Sequence, residues 1–407
     1  MLRLLLLAAV LASPVHARLV PPAAGIVAGR QAIATIVMSG RTPRALPRIH
    51  FAGSLDRRVV TAIAQKAGRR GTYRVRFTLP LAGRWVYRIT TGRAAVGSGL
   101  VDVRVDSRLP GAEASAVCAG AGSFWPTETL ALDFGSVWVA CKESGELLRL
   151  HPETRQTQTG FRHVAPSLIG VTTGFGSVWA LDGSRSGTLI RIDPNTNAGT
   201  ARIDVGTSAP YNVWAGAGSM WVAGDQEREV VRIDPATNRV TAHIGVGDGP
   251  ADLAFDGSSV WVIDHRDRTL FRIDADTNAS HLLGTVPGDA PERMAFASGH
   301  LWITGRGTDL VEIDPASGDV LRTVEIGAGG IDVVSDGDTL WVPARNADVD
   351  VRGLPTMEAL RRVDARSGTV ASSLLASGPL DVHGLVADGN GVWIADNTHG
   401  VLYRVPR

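Results

Sequence analysis

The sequence predicts an all-β chain, a seven-bladed β-propeller preceded by a small β-sandwich, and three observations predict it. A hydrophobic-Trp-hydrophobic step recurs at Trp138, Trp179, Trp221, Trp261, Trp302, Trp341 and Trp393, at intervals of 41, 42, 40, 41, 39 and 52 residues. A tight-turn sequence of the type Asp-Pro-x-Thr-Asn follows most of these steps. Residues 20–106 hold no such repeat, only short alternating segments separated by Gly and Pro.

The first 17 residues have the form of a secretory leader. Arg3 supplies the positive end, Leu4 to Leu11 the apolar run, and Val15-His16-Ala17 a small-residue cleavage site. The run is too short to span a bilayer, and no later stretch reaches about 18 apolar residues. The expectation is a periplasmic or secreted chain with no membrane span once the leader is removed. Two cysteines follow, Cys118 and Cys141. In an oxidising compartment an even pair predicts a disulfide.

In 20–106 the expected strands are 25–38, 58–65, 73–79, 83–90 and 100–105, with turns at Gly71-Thr72 and Pro80-Leu81-Ala82-Gly83. Strands at that spacing suggest a sandwich. Residues 107–113 form a linker, and the propeller takes 114–407.

Each blade has one plan. A strand such as Leu253 to Asp256 is followed by a short turn, then by a strand such as Val260 to Asp264, a variable loop, a strand such as Leu270 to Asp274, a turn, and an outer strand such as Val240 to Val246. A period of about 40 to 45 residues marks four-stranded blades. In the turns 193–197 and 234–238, Asp accepts backbone amides, Pro fixes φ, and Asn tolerates the left-handed conformation. The last repeat stops after its third strand, 400–405. The segment 114–119 is expected to supply the missing outer strand, because an open edge is otherwise left. The repeated Trp is expected in the core, whereas Trp125 and Trp214 break the pattern and are expected near the channel, exposed. The long interval before Trp393 comes from a loop expected at 343–359.

The segment GTYRVRFTLPLAGRWVYRIT, with Gly71, Tyr73, Phe77, Pro80, Gly83, Trp85 and Tyr87 in register, resembles the YtkA-like and FixH-like immunoglobulin-type domains of exported bacterial proteins. The GSVWV, LxRIDPxTN and VGxxP pieces of the repeat resemble the YVTN and virginiamycin B lyase-like propeller superfamily. Most members of that superfamily are binding proteins. The resemblance therefore implies a non-enzymatic binding protein that presents one face to a small ligand or an envelope protein. The same resemblance carries an alternative. Streptogramin lyases of this fold open a lactone with magnesium, a His and nearby acids. His383-Gly384-Leu385 matches their His step in part, with the proline further upstream at Pro379, and Asp396 stands in their glutamate slot.

Bulk composition narrows the partners. Lys plus Arg number 41 against 40 for Asp plus Glu. That balance argues against nucleic acid, whose binders carry a basic excess. A monomer without a cofactor is expected, with magnesium only in the enzymatic alternative.

Candidate ligand residues occupy fixed offsets from the Trp steps, on the face shared by loops two-to-three and four-to-one. They are Tyr211, Asn212, Asp252, Arg293 and Asp332 before the Trp, and Asp264 and Asp396 three residues after it. In the enzymatic alternative His383 carries proton transfer, and Asp396 and Asp264 hold the metal. No Cys-x-x-Cys, His-Glu-x-x-His or phosphate-binding glycine loop is present.

Overall fold

The computed structural model describes residues 15–23, 26–27, 31–40, 45–53, 59–79, 83–104, 109, 112–118, 129–142, 144–161, 164–184, 187–327, 329–349, 355–380, 382–396 and 400–407. Every regular element among them is a strand, and no helix among them is long and apolar enough to cross a membrane. Trp125 lies outside the described residues. Two compact units divide the chain. One takes in the residues up to Asp106 with 114–120 and 399–401, and the other takes in the rest.

In the first unit a four-stranded sheet (His16–Val20, Gln31–Ser39, Thr72–Thr78, Gln65–Lys66) and a five-stranded sheet share one core. The five-stranded sheet runs Ile26–Val27, Ala94–Arg104, Gly83–Thr91, Arg48–Gly53, Val59–Ile63. Inward positions alternate along Thr72–Thr78, so Tyr73, Val75 and Phe77 are buried while Arg74 and Arg76 are exposed. Phe77 meets Phe51 of the other sheet with ring centroids 4.4 Å apart, and Trp85 is fully buried. The strands His16–Val20 and Arg48–Gly53 were not expected from the sequence. The first carries only one buried residue, Leu19.

Among the described residues, seven four-stranded antiparallel sheets lie between Glu113 and Pro406. Six take consecutive strands from Leu130 to Leu380. In the seventh, Glu113–Ala116 is the outer partner of Val401–Pro406, and Gly391–Asp396 and Val382–Ala387 complete it. Val117 N donates to Gly400 O at 2.8 Å. The outer strand thus comes from the segment expected to supply it. The first strands of successive sheets pack on each other, and Leu130–Asp133 packs on Val382–Ala387. Both cysteines are disulfide-bonded, and the chain has only these two.

Each repeated Trp is buried, and Trp138, Trp179, Trp221, Trp261 and Trp302 each pack into a cluster that includes the next sheet. Trp179 lies with Val213 and Val222, and Trp302 with Val333 and Leu340. The turn chemistry is as expected. Asp193 accepts the amide of Asn195 at 2.8 Å and the Thr196 hydroxyl at 3.0 Å, and Asn197 closes the turn at φ 57°. Asn238 and Asn278 do the same at 57° and 61°.

In three sheets the arginine of the third strand joins its sheet to the next. Arg191 lies 5.0 Å over Trp179, and its Nε donates to Ser177 Oγ at 2.8 Å. Its Nη1 reaches into the next sheet's turn, to Pro235 O at 2.7 Å and Asn238 Oδ1 at 3.1 Å. Arg149 repeats this with Ser136, Pro194 and Asn197. Arg232 repeats it with Ser219, Ala275 and Asn278. The fourth sheet lacks the reach. Gly318 stands where the next turn would hold its Asn, and among the described residues Arg272 bonds only Ser259.

The fifth sheet solves the same problem with inverted charges. Glu312 occupies the arginine's place and His300 the serine's, and His300 Nδ1 lies 2.7 Å from Glu312 Oε1. Arg322, opposite Glu312 on the outer strand, pairs with it, lies 5.7 Å over Trp302 and donates to Arg366 O of the next turn at 3.0 Å.

Two expectations need correction. Segment 343–359 is not a simple loop: strands Thr339–Val349 and Pro355–Asp364 extend as a long hairpin paired out to Val349 and Pro355. Hydrophobic alternation fades there, so the pairing was not visible in the sequence. Trp214 is buried rather than exposed, and its indole N–H is taken by Asp252.

Candidate functional site

The candidate residues start from a repeated irregularity. The ladder between first and second strands slips between Pro210 and Val213, Pro250 and Asp252, and Pro291 and Arg293. A bulge of this kind re-aims one side chain and leaves its backbone unpaired. Here the re-aimed side chain repairs the backbone. Asn212 and Asp252 each use Oδ1 to accept the amide of the following residue at 2.8 Å, and Asp332, at the same offset but ahead of a ladder that shows no slip, does so at 2.8 Å as well.

Asp252 does more. Its Oδ1 also accepts Trp214 Nε1 at 3.0 Å, and its Oδ2 accepts Met294 N at 2.7 Å. One carboxylate therefore joins the first strands of the third, fourth and fifth sheets. Burial pushes its pKa upward, opposed by Arg293 and by the amides it accepts.

Arg293 is buried beside it. Its Nε lies 3.8 Å from Asp332 Oδ1, and its Nη1 donates to Glu292 O at 2.8 Å. Burial works against its charge, yet Tyr211, Asp332, Asp252 and Glu292 around it keep it protonated. Burial in turn lifts the Tyr211 phenol above its ordinary value. The Glu292 carboxylate pairs with Arg345 at 2.8 Å and approaches Arg306 at 3.8 Å. Arg345 is itself buried and donates through Nε to Gly330 O at 2.8 Å. The structure thus gathers Tyr211, Asp252, Arg293 and Asp332 into one cluster spread over four sheets, with Asn212 next in the chain to Tyr211.

Asp264 and Asp396 stand elsewhere, at the ends of second strands in the fourth and seventh sheets. Asp264 is fully buried. Its Oδ2 accepts Thr269 Oγ1 at 3.0 Å and Gly247 N at 3.2 Å, while Oδ1 has no hydrogen-bond partner among the described residues. Burial pushes its pKa up to about 7. Asp396 is buried opposite Val382 in the ladder, and Val382 is one residue from His383. The backbone of His383 lies on Val382–Ala387, and its side chain falls outside the described residues, as does His399. Among the described residues no group of three or more His, Cys, Asp or Glu is placed to hold a metal ion.

Sequence reasoning missed Arg345 as a member of the cluster. Its only signal is its place, four residues after Trp341, directly beyond the offset that holds Asp264 and Asp396.

No family model matches this chain, and no curated protein matches it. Solved structures do: 842 chains match, among them U3-55K, a WD40 propeller-like protein. That likeness has a TM-score of 0.59 at 10% identity, and covers 72% of this chain and 98% of the other. The chain has a β-propeller-like fold. At that identity the likeness speaks for the fold alone.

Proposed function

We propose that this chain is an exported, non-enzymatic binding protein of the YVTN and virginiamycin B lyase-like type. In this reading residues 114–407 form a seven-bladed propeller, and residues 20–106 an immunoglobulin-like adaptor. The face where loops two-to-three and four-to-one emerge takes a small ligand or an envelope protein. The observation that carries the reading is the use made of the polar side chains beneath that face. Asp252, Asn212 and Asp332 bond backbone amides, and Arg293 is enclosed by carboxylates. Groups spent in this way fix a rigid floor under the loops, whereas proton transfer needs a group free to meet substrate. Seven four-stranded sheets support the blade count, and the disulfide suits an oxidising compartment.

Two experiments test this. Incubation with a cyclic depsipeptide and magnesium should leave the ring closed; opening that disappears in His383→Ala would establish the lyase alternative instead. Expression in a bacterium should place the chain outside the cytoplasm, and intact mass should put its first residue at Arg18. Cleavage there shortens the strand His16–Val20 to its last three residues and keeps Leu19, which is buried and donates its amide to Tyr87 Oη at 3.3 Å.

A further inference from the structure

At three junctions a guanidinium of one sheet fills the space between its own tryptophan and the turn of the next sheet. The junction from the seventh sheet to the first departs from this. Arg404 lies 5.6 Å over Trp393, but its Nε and Nη2 both turn back to Asp388, at 3.1 and 3.0 Å. Gly391 stands where the serine would be. The receiving turn, 151–155, ends in Arg155 rather than Asn, and Arg155 pairs with Glu113, which lines the same space. A cavity of about 520 Å³ remains, lined by Asp388 and Arg404 on one side and by Asp133, Phe134, Pro152 and Glu153 on the other. Its volume is that of a small-molecule site.

The wall is acidic. Among the described residues Asp133 and Glu153 form no ion pair, and the one cation in the lining, Arg404, is already matched by Asp388. We propose that this cavity binds an arginine-type guanidinium, carried by a small molecule or by a peptide. The sister junctions show what this kind of space accepts. There a planar cation lies over an aromatic ring and donates to a turn carbonyl and an amide oxygen. Here the turn is kept, its Asn amide is lost to Arg155, Glu153 and Asp133 bring carboxylates to the wall instead, and Phe134 adds a ring. An ammonium lacks the planar fork and fits less well. The site lies at the loops one-to-two and three-to-four, opposite the face of the proposed function, and does not depend on that reading.

Titration calorimetry of the full chain tests it, with N-acetyl-arginine methylamide, free L-arginine, the lysine analogue of the amide, and citrulline as neutral isostere. Saturable binding of an arginine compound is expected, with none for citrulline. Glu153→Gln and Asp133→Asn should each weaken it by about tenfold, the loss of one charge-assisted bond. Both are isosteric. The Phe134 amide, which Asp133 accepts at 2.7 Å, still finds a side-chain oxygen after Asp133→Asn, so unfolding midpoints should not move. Equal affinity for amide and free amino acid points to a small molecule, and tighter binding of the amide to a polypeptide. No saturable binding of either arginine compound, equal binding of the lysine analogue, or unchanged binding in the double variant would overturn the proposal.

Discussion

Trp214 gives its indole N–H to Asp252 at 3.0 Å, so an aromatic side chain of the third sheet is held by a carboxylate of the fourth. The same carboxylate takes the Met294 amide of the fifth. Removing it strands buried donors on both sides. Asp252→Ala should destabilise the native state by about 3 kcal/mol, and Trp214→Phe by less. Urea unfolding of both single variants and the double variant should show strong non-additivity; additive losses would mean the two side chains do not act together.

Arg191 and Arg272 occupy equivalent places with unequal bonding. Arg191→Ala removes bonds to Ser177, Pro235 and Asn238 and should cost about 2 kcal/mol. Arg272→Ala loses only Ser259 and should cost clearly less. Equal losses would show that the reach into the next turn contributes nothing.

Stability should fall as pH rises toward neutrality. The Asp264 carboxyl is raised by burial from 3.8 to about 7. A raised acid contributes stability that is complete below its unfolded value and is lost as pH climbs through the folded one. Unfolding free energy should therefore decline between pH of about 4 and about 7. Burial raises Asp252 in the same direction, so Asp264→Asn should lessen that slope without abolishing it, and a slope unchanged in the variant would assign it to other groups.

Replacing both Cys118 and Cys141 by Ser should lower stability by about 3 kcal/mol, as expected for releasing a closed loop of this length. Thermal unfolding of the oxidised wild type against the variant measures it.

Much of this was legible because the repeat writes its contacts locally. The Trp spacing marks the sheets, and Asp193 with Asn197 predicts its own turn, since all partners lie within five residues. The buried location of Trp214 was not legible, because its partner Asp252 is 38 residues away in another sheet. The role of Arg191 was hidden for the same reason, since Asn238 is 47 residues on. One signal was available: Arg and Asn recur together a repeat apart, and where the turn ends in Gly318 the preceding Arg272 makes no such bond. The inversion at Glu312 was beyond reach, since Arg322 compensates it from a strand where outward charge is ordinary. The candidate cluster was found from offsets alone, but its satisfied, buried state depends on bulges that no offset reveals.

The three arginine links run in one rotational sense, each of the first three sheets grasping the turn of its successor. A duplicated unit therefore arrives already equipped at both ends, with an Arg for the sheet ahead and an Asn for the sheet behind. Growth of such a chain by whole-unit insertion would break no link, while loss of half a unit would orphan two. The chemistry of the junction thus favours lengthening and shortening in complete repeats, and leaves the number of repeats to be decided by closure.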